Sequence, residues 1–477
     1  MFLGREHELS EFNDLYQQNR FHLFVLYGRR RVGKTTFLKE FCKDKPNIFY
    51  SVEQSNEKLN LDKFSALVFH YYGETTLEPF CSWENALLYI HNRQTDQPLV
   101  LVLDEFPYLA HINPAILSVL QHLVDHCLRD GKIFLVLCGS YMGFMEKEVL
   151  SAKSPLYGRR TGQLRMKPFD YKTSCRFLSG FSDEDKLLLY GALGGTAMYL
   201  TQIRPGQTVR EAITSLFLKP TGYLYEEPLF LLRQEVYEPG IYHAVVEAIA
   251  SGASRASDIV AKTGEDAPKC LKYIHTLCEL GILHKEVPFG EKGNSRKTIY
   301  GISDPMFRFW YRYVAPNKTL LETDAPDIVW TRRIQPDLSD YMGHVFETVC
   351  RDYLLRENSA GRLPVLFGSI GRWWGSDPKT RSQMEIDLVA QDGSSYLFGE
   401  CKWRNEKLGY QVFQKLKDKV TAFGRKPETV WYVLFSKSGF TDSVLQEAQK
   451  NRHLILITMA ELMGNQSFLS ENPRFPG

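Results

Sequence analysis

A loop near the amino terminus combines glycine, lysine and threonine at the spacing GxxxxGK[ST], which is typical of phosphate-binding loops. An apolar run over residues 21–27 precedes the loop, and a helical pattern follows it. This context supports the motif, because backbone N–H groups at a helix start bind phosphate oxygens. Lys34 is expected to reach the β- and γ-phosphates, and Thr35 to bind Mg²⁺. The residues predicted to surround the nucleotide are Gly28, Arg29, Arg30, Arg31, Val32, Gly33, Lys34, Thr35 and Thr36.

Three polar residues that follow predicted strands are expected to complete an ATP-hydrolysing site. The apolar run 99–103 ends in Asp104 and Glu105, and the run 133–138 is followed closely by Ser140. Asp104 is expected to hold the Mg²⁺ shell, Glu105 to polarise the attacking water, and Ser140 to sense the γ-phosphate. A serine after a strand is also a common turn residue, and the sequence leaves that alternative open. The pattern predicts ATP and Mg²⁺ as cofactors.

Two adjacent arginines, Arg159 and Arg160, lie in a predicted loop after this core. Either could act as a finger on the transferred phosphate, in the same chain or from a neighbouring copy. Ordinary surface charge explains them equally well. The sequence therefore leaves a homo-oligomer open as a partner.

Near the carboxyl end, acidic and basic residues are spaced as in a metal-dependent nuclease centre. Asp387 precedes Glu400 by thirteen residues, and Lys402 is two beyond Glu400. Alternation along a strand puts Glu400 and Lys402 on one face. The two carboxylates suit Mg²⁺ or Mn²⁺, and the lysine would hold the attacking water or the developing charge. Glu347, on a helix predicted to begin at Gly343, would add a further metal contact.

The elements that must position these residues predict an α/β chain of several domains. At 477 residues the chain is too long for one core. We expect a P-loop NTPase with an AAA+-like parallel sheet, a helical lid, a winged helix and a C-terminal α/β nuclease-like domain. The predicted boundaries are 1–165 for the ATPase core, 166–235 for the lid and connector, 236–320 for the winged helix-turn-helix and 335–477 for the nuclease-like domain.

The predicted winged helix consists of three short helices within residues 241–280 and a hairpin of residues 282–287 and 297–302. A DNA-facing helix and wing need local basic charge. Docking to another protein is an alternative that the sequence leaves open. The basic residues expected on this surface are Lys269, Lys272, Lys292, Arg296 and Lys297.

The overall composition limits the classes of partner. The net charge is only +2, so any DNA-binding surface must be local. Nine cysteines occur without a CxxC pair, which favours reduced thiols in a cytoplasmic protein. The apolar runs are far shorter than the ~20 residues that a membrane helix needs, so we expect no membrane contact.

The first half of the chain resembles the AAA+/STAND-like family described as the ATPase domain predominantly from Archaea. The resemblance implies an adenine contact near Gly4 and Arg5 and a lid near Gly194–Gly195, where Ala197 replaces an expected proline. The segments that carry it are FLGREHEL, GRRRVGKT, LVLVLDEFPYL, PLYGRRTG, the Lys167-Pro168-Phe169 stretch, and Gly194-Gly195 followed by Tyr199-Leu200.

Residues 341–436 resemble the PD-(D/E)XK nuclease superfamily and, with the segment GRWWG at residues 371–375, the DUF234 domain that often follows this ATPase type. The first acidic element reads Glu-Ile-Asp where the superfamily commonly has Pro-Asp. The resemblance implies a metal-dependent DNA-cutting centre. The sequence thus predicts an ATPase coupled to a DNA endonuclease. The alternative is a STAND-type nucleotide switch whose C-terminal domain binds nucleic acid or protein without cutting.

Overall fold

The computed structural model describes residues 2–74, 78–93, 95–291, 293, 295–377, 381–424 and 427–464. The chain divides into two compact units. Unit 1 comprises Met1–Phe169 and Gly195–Thr201, and unit 2 comprises Asp170–Gly194 and Gln202–Gly477. Within the described residues, no helix is both long and apolar enough to cross a membrane.

Unit 1 is built on a five-stranded sheet in which all pairings are parallel. The strand order is β2-β3-β4-β1-β5. The sheet confirms the predicted parallel α/β core, and the three strands predicted from apolar runs become β1, β3 and β4. The strands are β1 (His22–Tyr27), β2 (Asn47–Ser51), β3 (Leu99–Asp104), β4 (Ile133–Gly139) and β5 (Gly162–Arg165).

The three central strands are buried along their whole length, since helices cover both faces of a parallel sheet. Side chains alternate between the faces, so Leu23 and Val25 enter one apolar core while Phe24 and Leu26 enter the other. The α-helices of unit 1 are Glu6–Tyr16, Lys34–Phe41, Glu57–Tyr72, Trp83–His91, Phe106–Ile112, Ile116–His126, Met142–Phe144 and Ala197–Leu200. Its other helical turns are Leu128–Asp130 and Met145–Val149.

Unit 2 contains a two-stranded hairpin and a five-stranded mixed sheet. The sheet order is β12-β11-β10-β9-β8, with β8, β9 and β10 antiparallel and β10, β11 and β12 parallel. A tight turn at Asp392-Gly393 joins the antiparallel strands β9 and β10. The strands of unit 2 are β6 (Leu283–Glu286), β7 (Ile299–Ile302), β8 (Ser369–Ser376), β9 (Gln383–Asp392), β10 (Ser395–Lys402), β11 (Thr429–Ser436) and β12 (Leu454–Thr458).

The helices of unit 2 include three that precede the β6–β7 hairpin, in the element order predicted for a winged helix. Of the basic residues predicted there, Lys292 lies outside the described residues. The α-helices are Tyr171–Phe177, Asp183–Leu193, Val209–Ile213, Glu227–Glu235, Pro239–Ala250, Ala256–Thr263, Ala267–Glu279, Pro305–Phe309, Lys318–Glu322, Pro326–Val329, Leu338–Ser359, Tyr410–Ala422, Asp442–Lys450 and Met459–Met463. The π- and 3₁₀-helical segments are Thr214–Leu218, Trp310–Val314, Ala315–Asn317 and Trp330–Ile334.

The helix that carries Glu347 begins at Leu338, so the predicted start at Gly343 was wrong. Tyr341 is buried and lies one helical turn before the buried Val345, which extends the apolar face toward the amino terminus. The glycine is tolerated inside the helix because packing outweighs its weak helix propensity.

Candidate nucleotide site and acidic centre

The loop between β1 and the Lys34–Phe41 helix has the geometry of a phosphate cradle. Gly33, the residue before the helix, has φ +99°, and Gly28 has φ +151°. A Cβ on Gly28 would stand 2.3 Å from the carbonyl oxygen of Met166, so only glycine fits. The buried Lys34 Nζ donates to the carbonyl oxygens of Gly28 (2.7 Å) and Arg29 (3.1 Å). The loop carbonyls therefore hold the Lys34 ammonium inside the loop that is predicted to bind the phosphates.

Four predicted residues meet at the carboxyl ends of β3 and β4. Thr35 Oγ1 donates to Asp104 Oδ2 at 2.8 Å, and Asp104 Oδ1 accepts from the backbone N–H of Glu105 at 3.0 Å. Ser140 Oγ donates to Glu105 Oε2 at 2.7 Å. Glu105 has the left-handed φ of +52°, a strained conformation for a side chain of this size. Consecutive hydrogen bonds thus connect the Thr35 hydroxyl, the two acids at the end of β3 and the Ser140 hydroxyl.

The remaining loop side chains are directed into unit 1 or toward its surface. Arg29 and Val32 are buried, at 4% and 1% exposure, whereas Thr36 is exposed. Arg30 donates to the hydroxyl of Tyr108 at 2.7 Å. The basic residues of the loop therefore do not form one exposed cluster.

The segment Gly195–Thr201 packs against the phosphate-binding loop within unit 1. The Met198 N–H donates to the Arg31 carbonyl at 3.3 Å, and the Phe169 N–H donates to the Gly195 carbonyl at 2.7 Å. A Cβ on Gly195 would lie 1.8 Å from the Phe169 carbonyl oxygen, so this approach requires glycine. Ala197, the departure from the expected proline, lies beside this contact and does not prevent it.

Arg5 is anchored by three contacts within unit 1. It donates to the Lys167 carbonyl, pairs with Glu8 at 3.0 Å, and lies 4.3 Å from the ring centre of Phe169. Gly4 precedes it with φ +82°. Their adenine contact stays a prediction.

The two candidate finger arginines have partners inside unit 1. Asp125 binds Arg159 with both carboxylate oxygens, at 2.7–2.9 Å, and the hydrogen bonds from Arg159 lower the pKa of Asp125. Arg160 donates to the Leu150 carbonyl at 2.8 Å. A finger role for Arg159 would require this bidentate pair to open.

In unit 2, β9 and β10 bring the predicted acidic centre together. Lys402 Nζ lies 2.6 Å from Glu400 Oε1 and 3.6 Å from Asp387 Oδ2. Asp387 Oδ2 also accepts from the Cys401 N–H at 2.8 Å. The predicted placement of Glu400 and Lys402 on one face therefore produces direct contact.

Sequence reasoning missed Lys419, which shares the Glu400 carboxylate with Lys402. Its Nζ lies 3.0 Å from Glu400 Oε1 and 2.8 Å from Oε2. Lys419 is nineteen residues away on the Tyr410–Ala422 helix. Helical periodicity could have placed this lysine on a helix, but only the packing of the helix on β10 reveals its partner.

Burial and charge set the protonation of the acidic centre. Burial, and next the charge of Glu400, raise the pKa of Asp387 well above the ordinary range of a carboxyl. Burial opposes the charge on Lys402, but the charges of Asp387 and Glu400 raise the pKa of this lysine overall. Two buried carboxylates are hard oxygen donors, so the donor chemistry fits Mg²⁺ or Mn²⁺.

The three proposed metal ligands of this centre do not form one ready ligand set. Across the described residues, no group of three or more His, Cys, Asp or Glu side chains is arranged to hold a metal ion. Glu347 instead lies 3.6 Å from His344 Nδ1, on the same helix. A further metal contact from Glu347 stays a prediction, since this residue lines the same cavity as Asp387.

A half-buried histidine in β6, His284, is expected to make the stability of unit 2 depend on pH. Burial, followed by the charges of Arg308, His344, Arg351 and Arg372, lowers the pKa of His284 to about 4. Below the unfolded pKa of 6.5 the unfolded chain takes up a proton that the folded chain refuses. We expect this to cost about 3 kcal/mol of the free energy of unfolding between pH 6.5 and pH 4.

Urea unfolding of the wild-type protein and of His284→Gln at neutral and acidic pH checks this effect. The difference in stability between the two proteins should change in favour of the variant as the pH falls. Other titrating groups cancel in that difference. A pH-independent difference would contradict the account.

Family models match both units of the chain. Residues 2–203 match the ATPase domain predominantly from Archaea, and residues 310–416 match DUF234, described as archaeal and bacterial proteins of unknown function. The second match begins upstream of the resemblance found in the sequence and includes the buried segment Trp310–Val314.

Individual relatives agree with these matches. An uncharacterised protein of Methanocaldococcus jannaschii is 32% identical over 410 residues, which cover 85% of this chain and 88% of the relative. An uncharacterised ATP-binding protein of Pyrococcus abyssi is 26% identical over 241 residues, which cover 44% and 72%. The solved Walker-type ATPase of Pyrococcus abyssi aligns with a TM-score of 0.50 and 21% identity over 65% of this chain and 96% of that one. This structural likeness shows a shared fold.

Proposed function

The chain belongs to the family of archaeal-type ATPases that carry a C-terminal DUF234 domain, and we propose that unit 1 binds ATP with Mg²⁺ and hydrolyses it. The observation that carries the proposal is the hydrogen bond between Thr35 Oγ1 and Asp104 Oδ2 at 2.8 Å. A hydroxyl and a carboxylate in contact at the mouth of a phosphate-binding loop are the two protein groups that hold Mg²⁺ in such sites.

Each residue of the site has a distinct task in the proposed hydrolysis. Lys34 exchanges its two loop carbonyl partners for the β- and γ-phosphates, to which its charge is attracted. Glu105 orients the water and accepts its proton, while Ser140 fixes the Glu105 carboxylate. Bound Mg²⁺, held by Thr35 and Asp104, supplies charge neutralisation on the phosphates.

Replacing Lys34 with alanine is expected to weaken ATP binding by about tenfold to 100-fold, because charge-assisted hydrogen bonds contribute about 1.5–3 kcal/mol. Titration of a fluorescent ATP analogue measures the affinity. Lys63→Ala, an exposed lysine of the Glu57–Tyr72 helix, is the matched control and should bind like the wild-type protein. Equal affinity of Lys34→Ala and Lys63→Ala would exclude Lys34 from the nucleotide site.

A phosphate-release assay tests hydrolysis itself. The wild-type protein should release phosphate from ATP in Mg²⁺ and stop when EDTA removes the metal. Binding of ATP without release under any metal condition would reduce unit 1 to a nucleotide-binding module. Failure to bind ATP would contradict the proposal entirely.

We propose, as the second activity, metal-dependent cleavage of DNA at the centre formed by Asp387, Glu400 and Lys402. Support comes from the convergence of the two buried carboxylates on Lys402, at 3.6 and 2.6 Å. Asp387 and Glu400 would hold Mg²⁺ or Mn²⁺, which supplies an activated water near neutral pH. Lys402 would stabilise the developing negative charge on the phosphodiester. Lys419 would keep the Glu400 carboxylate oriented.

The competing proposal is a nucleotide switch that binds nucleic acid or protein without cutting. Glu400 favours it, because Lys402 and Lys419 already occupy its carboxylate oxygens. In this account the helices and hairpin of residues 236–320 form a winged helix that binds the partner, and copies of the chain assemble into an oligomer. Binding of nucleic acid or protein by the wild-type protein, without any cleavage, would distinguish this alternative.

A further inference from the structure

A cavity of about 270 Å³ in unit 2 lies beside the acidic centre and is lined by several basic side chains. Six elements contribute to it: the strands β6, β8 and β9 and the helices Asp183–Leu193, Pro305–Phe309 and Leu338–Ser359. The basic lining residues are His284, Lys285, Arg308, His344, Arg351 and Arg372. Asp387 also lines the cavity and connects it to the acidic centre.

The positive charge of the cavity at neutral pH comes from its lysine and its arginines. Burial first, and then the charges of neighbouring basic residues, lower the pKa of His284 to about 4, so this histidine is neutral at pH 7. The charged lining residues are Lys285, Arg308, Arg351 and Arg372.

The acidic groups of the cavity only partly offset this charge. Arg372 is paired with Glu286 and Glu385, each at 2.9 Å. Glu347 contacts His344 at 3.6 Å, and the nearest carboxylate to Arg351 is Asp352 at 4.0 Å. Arg308 donates to the backbone carbonyl of Ile302. Within the described residues, Arg351 thus has one long ion pair and Arg308 one backbone hydrogen bond, and neither guanidinium is held by a bidentate carboxylate.

The lining residues differ in exposure. His284, His344 and Arg308 are half-buried, whereas Lys285, Ser303 and Arg351 are exposed. His344, Glu347 and Arg351 follow one another at helical spacing on one face of their helix. A ligand bound in the cavity can therefore contact Arg351, Arg308 and the two histidines.

We propose that this cavity binds a phosphate monoester, either at the end of a nucleic-acid strand or on a free mononucleotide. A monoester carries nearly two negative charges at neutral pH and three acceptor oxygens, whereas an internal diester carries one charge. Arginine binds such groups with two parallel hydrogen bonds. A cavity of this volume admits a single nucleotide and excludes a duplex.

The inference rests on the proposed DNA-directed role of unit 2 in naming a strand end as a source of the phosphate. It adds a substrate class to that role, namely nucleic-acid strands whose terminal phosphate binds in the cavity while the adjoining nucleotides lie beside Asp387. The charge and enclosure of the cavity themselves do not depend on cleavage.

Fluorescence anisotropy of the full-length protein in EDTA tests the proposal without any cutting. The probes are short single-stranded oligonucleotides that carry either a phosphate or a hydroxyl at the 5′ end, and a second pair that differs at the 3′ end. At least one phosphorylated strand should bind about tenfold more tightly than its hydroxyl counterpart, as one additional charge-assisted contact would give. Deoxyadenosine monophosphate and inorganic phosphate are the competitors.

Arg351→Gln should abolish the preference for the phosphorylated strand, and His344→Gln should reduce it. Arg333→Gln replaces an exposed arginine outside the cavity lining and should keep the preference. Thermal melts identify any variant that fails to fold. Because Arg351 is exposed on its helix, its substitution should not disturb folding.

Each outcome decides the proposal. If the protein prefers the phosphorylated strand and Arg351→Gln removes this preference, the ligand is a strand end. If deoxyadenosine monophosphate displaces the probe and Arg351→Gln weakens this competition, the ligand is a free nucleotide. Equal binding of all strands, with no effect of either competitor, would overturn the proposal. Since no metal is present, the preference is measured independently of cleavage, and a protein that never cuts DNA can still show it.

Discussion

Replacing Glu105 with glutamine is expected to lower the rate of ATP hydrolysis about 100-fold or more while ATP still binds. Glutamine retains an oxygen that accepts the hydrogen bond from Ser140, which Glu105 accepts at 2.7 Å, so the local structure is preserved. Glutamine cannot accept the proton of the attacking water. Phosphate release at saturating ATP, together with the affinity for a fluorescent ATP analogue, separates the two effects.

The control for this substitution is Glu148→Gln, which changes an exposed glutamate of the Met145–Val149 segment and should hydrolyse ATP at the wild-type rate. Two results would contradict the assignment of Glu105. One is unchanged turnover in Glu105→Gln, and the other is a parallel loss of ATP affinity that accounts for the whole defect.

Replacing Asp387 with asparagine is expected to abolish metal-dependent cleavage of DNA, with a loss of at least about 100-fold, because a catalytic metal loses a charged ligand. The substitution should leave the fold intact. Burial and the neighbouring Glu400 disfavour the charge on Asp387, and asparagine can still accept from the Cys401 N–H. We expect the variant to be at least as stable as the wild-type protein.

Asp392→Asn is the matched control, since this exposed aspartate lies at the end of the same strand, β9. Agarose-gel assays of linear and supercoiled DNA compare the variants in Mg²⁺ and in Mn²⁺. Cleavage by Asp387→Asn at the wild-type rate would place the activity elsewhere or in a contaminating enzyme. The stability of the variants is compared by thermal melting.

The nucleotide site could be predicted from the sequence because its determinants are local. The glycines of the loop, the following Lys34 and Thr35, and the acids at the end of a continuous apolar strand occupy short, fixed spacings. Parallel order then brings the ends of β3 and β4 to the same edge of the sheet. The contact between Thr35 and Asp104 follows from this topology.

The remaining features depend on contacts that sequence spacing does not encode. Lys419 reaches Glu400 only because the Tyr410–Ala422 helix packs on the mixed sheet. Arg308 and His284 lie in different elements, and the fold of unit 2 brings both to the cavity beside Asp387. The hydrogen-bonded ion pair of Arg159 with Asp125 could not be predicted from the sequence either.

Short elements were also harder to predict than long apolar runs. The edge strands β2 and β5 are only partly buried, so their apolar pattern is weak and sequence analysis passed over them. In unit 2, the helix that was predicted to start at Gly343 begins at Leu338, and the buried Tyr341 lies in its added first turn. The central strands and the phosphate-binding loop could be predicted without knowledge of such long-range packing.

The most direct test of an ATPase coupled to a DNA-cutting centre is cleavage of supercoiled and linear DNA in Mg²⁺ or Mn²⁺, with and without ATP. The wild-type protein, Asp387→Asn and Glu105→Gln are compared side by side. The account predicts cutting that requires Asp387 and changes in rate with ATP and with the Glu105 substitution. Absence of cutting under every one of these conditions would contradict it and would leave unit 2 as a binding module controlled by nucleotide.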